Sequence, residues 1–170
     1  MKHAGPLEVE VKLSIPSTAA VRPQLQAAGF TEIHPAALER SELWDRDGHL
    51  RAQDCALRLR RYGGSAALTW KGPRLADPAL KIRPELETAV ADPEAMAGIL
   101  KALGFEPVLV MEKTRSVWSR IDLEACLDDT PFGSYLELEG EREGIEAAMA
   151  ELGLGLERVE TRSYATLYGG

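Results

Sequence analysis

The sequence is short of most features that assign a protein to a class at once. It has two cysteines in 170 residues, Cys55 and Cys126. They stand far apart in apolar or mixed segments, which argues for reduced, buried thiols of a cytoplasmic protein rather than a disulfide framework. Its three histidines, His3, His34 and His49, fall at the terminus, at a strand start and in a turn, and none is assigned a catalytic role. No stretch approaches the roughly 20 apolar residues of a membrane-spanning helix. The segment from Met1 to Ile15 lacks the apolar run of a signal peptide. Positive charge is in deficit, with 20 Lys and Arg against 27 Asp and Glu and a net charge of −7. That excludes general binding to nucleic acid or an anionic membrane, which wants a basic surface. It leaves room for a basic cavity inside an acidic shell. With no fixed-period repeat, low-complexity tract or linker, residues 1–170 read as one domain.

What the chain does have is alternation. Leu7-Glu8-Val9-Glu10-Val11-Lys12-Leu13 sets apolar residues against charged ones without a break. On a strand this puts Val9, Val11 and Leu13 on one face and Glu8, Glu10 and Lys12 on the other. Later segments repeat the pattern. Ala56–Tyr62 and Ser65–Lys71 form a hairpin about Gly63-Gly64, with Arg58 and Arg60 sharing a face in the first arm and Thr69 and Lys71 in the second. Lys81 to Val90 puts Arg83, Glu85 and Glu87 opposite Ile82, Pro84 and Leu86, and Pro84 implies an edge or a bulge. A strand is expected from about Ala36 to Trp44. Others are expected from Val108 to Trp118 with Lys113 and Arg115 in phase, from Arg120 to Leu127 leading to Asp128, and from Tyr135 to Gly140 with Glu137 and Glu139 in phase. Three amphipathic helices intervene. One follows Ser17, one is capped by Asp92 with Pro93 at its first position, and one runs from Gly144 to Leu152. A helical turn or two is expected between Thr161 and Tyr168.

Two architectures accommodate such strands. The apolar faces can point into a core, leaving the charges solvated. Alternatively the sheet closes into a barrel with a polar interior and an apolar outside covered by helices. The helices decide, because each carries an apolar stripe that needs an apolar surface, and the Val9/Val11/Leu13 face is the natural one. The expectation is therefore an α+β fold: an eight-stranded antiparallel β-barrel, or tunnel, with a charged interior and helices packed outside.

The kinds of charge narrow the chemistry. Arginine dominates the basic positions, and its planar fork suits phosphate oxygens, while Lys12, Lys71 and Lys113 act as point charges. The acids come as Glu-x-Glu pairs, Glu8/Glu10, Glu85/Glu87 and Glu137/Glu139, with alternate residues about 7 Å apart on one face. Such pairs repel unless cations relieve them, and Mg²⁺ or Mn²⁺ takes oxygen ligands. A cavity of this composition suits a polyphosphate. Trp70, Trp118 and Tyr135 read as packing residues.

Glu8-x-Glu10-x-Lys12 resembles the E-x-E-x-K signature of the CYTH, or triphosphate tunnel metalloenzyme, superfamily. The match continues in order through Leu57-Arg58-Leu59-Arg60, Leu68-Thr69-Trp70-Lys71-Gly72-Pro73, Arg83-x-Glu85-x-Glu87, Lys113-x-Arg115, Leu127-Asp128, Gly133, Glu137-x-Glu139 and Ser163-Tyr164. The resemblance implies a tunnel that binds a small-molecule triphosphate with two divalent metals, Mg²⁺ or Mn²⁺. On that basis phosphate binding is assigned to Lys12, Arg58, Arg60, Lys71, Arg83, Lys113 and Arg115. Metal binding is assigned to Glu8, Glu10, Glu85, Glu87, Asp128, Glu137 and Glu139, and catalysis to Lys12, Glu10 and Glu139. The implied activity is metal-dependent hydrolysis of an inorganic or organic triphosphate with release of phosphate. Class IV adenylate cyclase chemistry, ATP to cyclic AMP and pyrophosphate, is the alternative, and a non-catalytic polyphosphate binder the second. The sequence after Asp128 leaves open whether Asp128 or Asp129 faces inward. Arg162 is the basic residue nearest the C-terminal segment with which the family can close its tunnel. No accessory domain for long polyphosphate is expected, and the partner is a small molecule, not nucleic acid or membrane, in a monomer or homodimer.

Overall fold

The computed structural model describes residues 6–169. His3 lies outside them. Eight strands close into a barrel in the order β1-β5-β4-β3-β2-β6-β7-β8. They are β1 (Leu7–Ile15), β2 (Thr31–Asp45), β3 (Ala56–Tyr62), β4 (Ser65–Lys71), β5 (Lys81–Ala89), β6 (Glu106–Arg120), β7 (Leu123–Thr130) and β8 (Gly133–Gly140). Every pairing is antiparallel. This is the expected architecture, with helices α1 (Thr18–Ala27), α2 (His49–Ala52), α3 (Pro93–Ala102), α4 (Arg142–Glu151) and α5 (Tyr164–Gly169) placed around it. Among the described residues no helix is long and apolar enough to cross a membrane.

Local chemistry explains the element ends. The Ser17 hydroxyl accepts from the Ala20 amide at the start of α1, and Asp92 accepts from the Glu94 and Ala95 amides at the start of α3, with Pro93 in the first turn. Gly63 and Gly64 both take positive φ, as a two-residue hairpin turn between twisted strands demands. Several strands run further than their sequence signals. β2 begins five residues before Ala36, because two register shifts, between Glu32 and His34 and between His34 and Ala37, absorb Pro35 into the strand. Pro84 marks neither a free edge nor a register shift. It sits in the closed wall opposite Leu7, where β1 is starting, just past the last β4 pair, Lys71 with Glu85. Its missing N–H is tolerated at these strand ends, and its carbonyl accepts from Gly72.

The apolar cores lie outside the barrel. Val11, Leu13 and Ile15 of β1, with Leu136 and Leu138 of β8, pack against Val21 and Leu25 of α1 and Ile145, Ala148 and Met149 of α4. A smaller cluster, Trp44, Leu59, Val90 and Leu100, seats α3 on the opposite wall. Trp118 and Tyr135 are buried, as packing residues should be. Cys126 is buried and Cys55 half-buried, both unpaired. With the apolar faces committed outward, the alternation sends the ionic faces into the bore.

Candidate active site: an ionic tunnel

Directly opposed residues of an antiparallel pair share a face, so the register builds the site row by row. Glu8 opposes Arg83, and Glu10 stands between Lys81 on β5 and Glu139 on β8. Glu139 in turn opposes Glu124 on β7, so three carboxylates line up across adjacent strands. Lys12 opposes Glu137, which opposes Cys126. Across the bore Arg58, Thr69 and Glu87 form one row, and Lys71 and Glu85 another. The enclosed cavity is about 260 Å³, and its lining includes Glu8, Glu10, Arg58, Arg60, Lys71, Glu85, Glu87, Arg115, Glu137 and Glu139, all singled out in the sequence.

Opposite charges pair off inside it. The Lys71 ammonium bonds both Glu8 oxygens at 2.6 and 2.8 Å and reaches Glu85 at 2.6 Å. Lys81 reaches Glu10 at 3.2 Å. Arg60 and Arg58 approach Glu87 at 3.4 and 3.9 Å, and Glu87 also accepts from Thr69. At one end Asp128, with no exposed surface, takes two bonds from Arg115 (2.7 and 2.6 Å), one from Lys113 (3.0 Å) and one from the Tyr164 hydroxyl (2.6 Å). This resolves the Asp128/Asp129 alternative: Asp129 is outside, accepting from Thr18 and Ser134. The Tyr164 ring lies 3.8 Å below the Lys12 ammonium and 4.0 Å from that of Lys113, a cation–π arrangement that closes this end. Arg162 does not enter the bore. Its side chain pairs with Glu160 outside, while its carbonyl accepts from Lys12. Arg83 shares the inner face but is tied to the carbonyls of Gly72 and Asp54. His49 sits on the short α2 beside Gln53, and His34 lines a neighbouring cavity that also meets Glu87 and Glu124.

Several residues here escaped the sequence reading. Glu39 is 2% exposed and sits 3.7 to 3.9 Å from Lys113, Arg115 and Arg60. Its strand is charged on both faces, since Arg40 and Glu42 pair outside with Glu112 and Arg61, so no one-sided signal marks it. Lys81 could have been found, being in phase with Arg83.

Proton affinities differ sharply along the bore. Burial, reinforced by Glu10, pushes Glu8 up to about 8 despite Lys71. Glu139, though solvent reaches it, is raised to about 7 by surrounding protein and by Glu10 and Glu124. Burial lowers Lys12 to about 7. Burial would raise Glu39 and Glu137 too, but neighbouring cations outweigh it: Arg115 and Lys113 hold Glu39 at about 2, and Lys113 and Arg115 depress Glu137 further. The bore thus separates carboxylates that cations hold ionised, Glu39 and Glu137, from Glu8 and Glu139, whose proton affinity burial and neighbouring carboxylates raise.

That second group fits a divalent metal. Glu8 and Glu139, with Glu10 beside them, offer hard oxygen donors of the kind Mg²⁺ and Mn²⁺ prefer, and a cation would offset the burial and like charge that raise Glu8 and Glu139. Among the described residues no three acidic, histidine or cysteine side chains already stand together in metal-holding geometry. Lys71 is paired with Glu8 and Glu85, and Lys81 with Glu10.

Comparison with known proteins agrees with this geometry. Residues 6–164 match the CYTH domain family model. A protein of Methanocaldococcus jannaschii, named as a candidate adenylate cyclase, is 33% identical over 96% of this chain and 99% of its own length. A Vibrio parahaemolyticus structure, also described as a candidate adenylate cyclase, superposes with a TM-score of 0.85 at 20% identity, over 98% of this chain and 99% of that one. A Hippeastrum structure, described as a candidate adenylyl cyclase with a dominant triphosphatase activity, gives 0.67 at 20% identity, over 95% of each chain.

Proposed function

The chain belongs to the CYTH domain family, and we propose that it is a divalent-metal-dependent triphosphatase that draws a triphosphate into the tunnel and hydrolyses its terminal phosphoanhydride. The observation that carries this reading is the bore itself, in which the inward faces of the strands bring phosphate-matching cations and proton-holding carboxylates into one 260 Å³ space. Anion binding is further supported by the buried Nε of Arg58, which has no protein hydrogen-bond partner among the described residues.

In this reading Arg58, Arg60, Lys71, Lys113 and Arg115 grip phosphate oxygens, and Lys12 approaches them from the Tyr164 end. Arg83 is held by two carbonyls, and its part is to shape one end of the clamp. Glu8, Glu10 and Glu139 would hold the metal, and Glu85, now paired with Lys71, would be a further donor. Asp128, Glu137 and Glu87 already serve cations, and their part is to aim Arg115, Lys113, Arg58 and Arg60. When bound, the metal neutralises phosphate charge and acidifies a water for attack. Substrate phosphates draw Lys71 and Lys81 away from their carboxylates. The attacking water meets the terminal phosphorus in line, its proton leaves to a tunnel carboxylate, and the diphosphate departs toward the arginines.

Cyclisation of ATP to cyclic AMP is the second reading, favoured by the adenylate cyclase name of the 33% identical relative. Incubation with Mg²⁺ or Mn²⁺ and tripolyphosphate, ATP or thiamine triphosphate, followed by chromatography, separates the two. Phosphate release supports hydrolysis, and cyclic AMP with pyrophosphate supports cyclisation. Tight binding without turnover would leave a polyphosphate binder and end the enzymatic reading.

A further inference from the structure

Glu39 of β2 is held by charge rather than by hydrogen bonds to its cations. It is 2% exposed and stands opposite Tyr62 on β3 and Lys113 on β6. It lies 3.7 Å from the Lys113 ammonium, 3.7 Å from Arg115 and 3.9 Å from Arg60. Those separations make ion pairs but are too long for hydrogen bonds. Asp128, by contrast, takes bonds of 2.6 to 3.0 Å from Arg115 and Lys113. Glu39 Oε1 accepts from the Ser41 hydroxyl at 3.3 Å, while its Oε2 is buried with no hydrogen-bond partner among the described residues.

A buried carboxylate with an orphan oxygen is costly, and loose ion pairs offset that cost poorly. What the arrangement does supply is charge without occupancy. Glu39 neutralises part of the positive cluster yet ties up none of its N–H groups, which stay available to phosphate. With so little surface exposed it cannot touch a substrate, and Arg60 and Arg115, which line the cavity, stand in front of it. Burial would raise its proton affinity, but Arg115 and Lys113 hold it at about 2, so the charge is permanent at neutral pH.

A fixed charge behind a clamp acts on whatever the clamp holds. At an effective dielectric constant of about 20, two unit charges about 6 Å apart still alter an equilibrium constant more than tenfold. The charge of Glu39 therefore opposes a bound phosphate and weakens triphosphate and diphosphate alike. Such uniform weakening raises KM and hastens product release. We propose that Glu39 is a positioning residue of the clamp, a fixed counter-charge that limits how tightly Arg60, Lys113 and Arg115 hold phosphate, so that the diphosphate product leaves. The inference rests on the tunnel being the triphosphate site.

Calorimetric titration in EDTA gives Kd for tripolyphosphate and pyrophosphate on the wild type, Glu39→Gln, Ser41→Ala and Ser41→Asp, and thermal melts establish that the variants fold. Glu39→Gln keeps the shape and removes the charge, so both Kd values should fall at least tenfold. With Mg²⁺, KM for tripolyphosphate should fall too, and kcat should fall severalfold as pyrophosphate release becomes limiting. Ser41→Ala removes the hydrogen bond and keeps the charge, and should leave both Kd values within twofold. Ser41→Asp sets a second carboxylate opposite Arg60 on the neighbouring strand and should weaken both anions about tenfold; it decides alone if Glu39→Gln does not fold. A merely structural ion pair would lower the melting temperature without tightening any anion. Unchanged or weaker binding in Glu39→Gln, a kcat held at the wild-type value, or unchanged or tighter binding in Ser41→Asp overturns the counter-charge and leaves the triphosphatase standing. Tighter binding in Glu39→Gln with no turnover by the wild type keeps the counter-charge and overturns the triphosphatase. Failure of the wild type to bind either anion overturns both.

Discussion

Asp128→Asn is the substitution on which the internal logic of the tunnel depends. The carboxylate has no exposed surface and accepts four hydrogen bonds, two from Arg115 and one each from Lys113 and Tyr164. Asparagine keeps the shape but removes the charge and points an NH₂ at Arg115 or Lys113, which can only donate. Arg115 retains Glu137 and the more distant Glu39, while Lys113 keeps Glu39, 3.7 Å away, as its ion pair. Removing one partner of a buried pair costs about 3–5 kcal/mol, because the remaining charge stays desolvated. For a chain of this size that is a fall in Tm of roughly 6–20 °C at about 2–4 °C per kcal/mol. Urea denaturation at pH 7.5 measures it, with Glu112→Gln as control. The Arg40–Glu112 pair is 43% and 51% exposed, so its loss should cost about 0–1 kcal/mol. Tripolyphosphate should restore stability to Asp128→Asn more than to the wild type, because its oxygens replace the missing anion. A loss under about 1 kcal/mol, or one no larger than the control, refutes the reasoning. A tenfold rise in the Mg²⁺ concentration required for activity, with little loss of stability, would instead make Asp128 a metal ligand.

Glu10→Gln and Glu139→Gln should each lower phosphate release by at least about 100-fold, the scale of losing a catalytic group, while tripolyphosphate affinity in EDTA holds or rises; full activity in either removes it from the metal site. Glu39 sits at about 2 in the fold against 4.5 unperturbed. A depressed carboxyl stabilises above its unfolded value and loses that stabilisation as pH falls through the folded one, so about 3 kcal/mol should vanish between about pH 4.5 and 2. Glu39→Gln should be less stable than the wild type at pH 7 and flatter in urea midpoints across that window, and parallel acid limbs would contradict it. Calorimetry in buffers of different ionisation enthalpy should detect protons at pH 7.5: taken up when tripolyphosphate restores charge to Lys12, which burial lowers to about 7, and released when Mg²⁺ displaces those on Glu8 and Glu139, near 8 and 7. The same sign for both ligands would show that these groups are not the ones engaged.

Much of the molecule was legible because the barrel's information is local. One strand face apolar and the other ionic is visible in Leu7–Leu13, in Ala56–Tyr62 and in Tyr135–Gly140, and the capped amphipathic helices say which face is covered. Ser17, Asp92-Pro93 and Gly63-Gly64 act within a turn of themselves, so their signals needed no partner. Where both faces of a strand are charged, as around Glu39, period two carries no message, and where Pro35 is absorbed by register shifts the strand looked shorter than it is.

By itself, then, the sequence determined the secondary structure, the segregation of ionic from apolar faces, and through its family motifs the inventory of tunnel side chains. Only the closed tertiary structure decided which charges meet. Asp128 turned in and Asp129 out, Tyr164 came under Lys12 from the far end of the chain, Arg83 went to two carbonyls and Glu39 to three cations. Alternation fixes a side chain's face within two residues, but its partner depends on register and closure between strands distant in sequence, which no local pattern encodes.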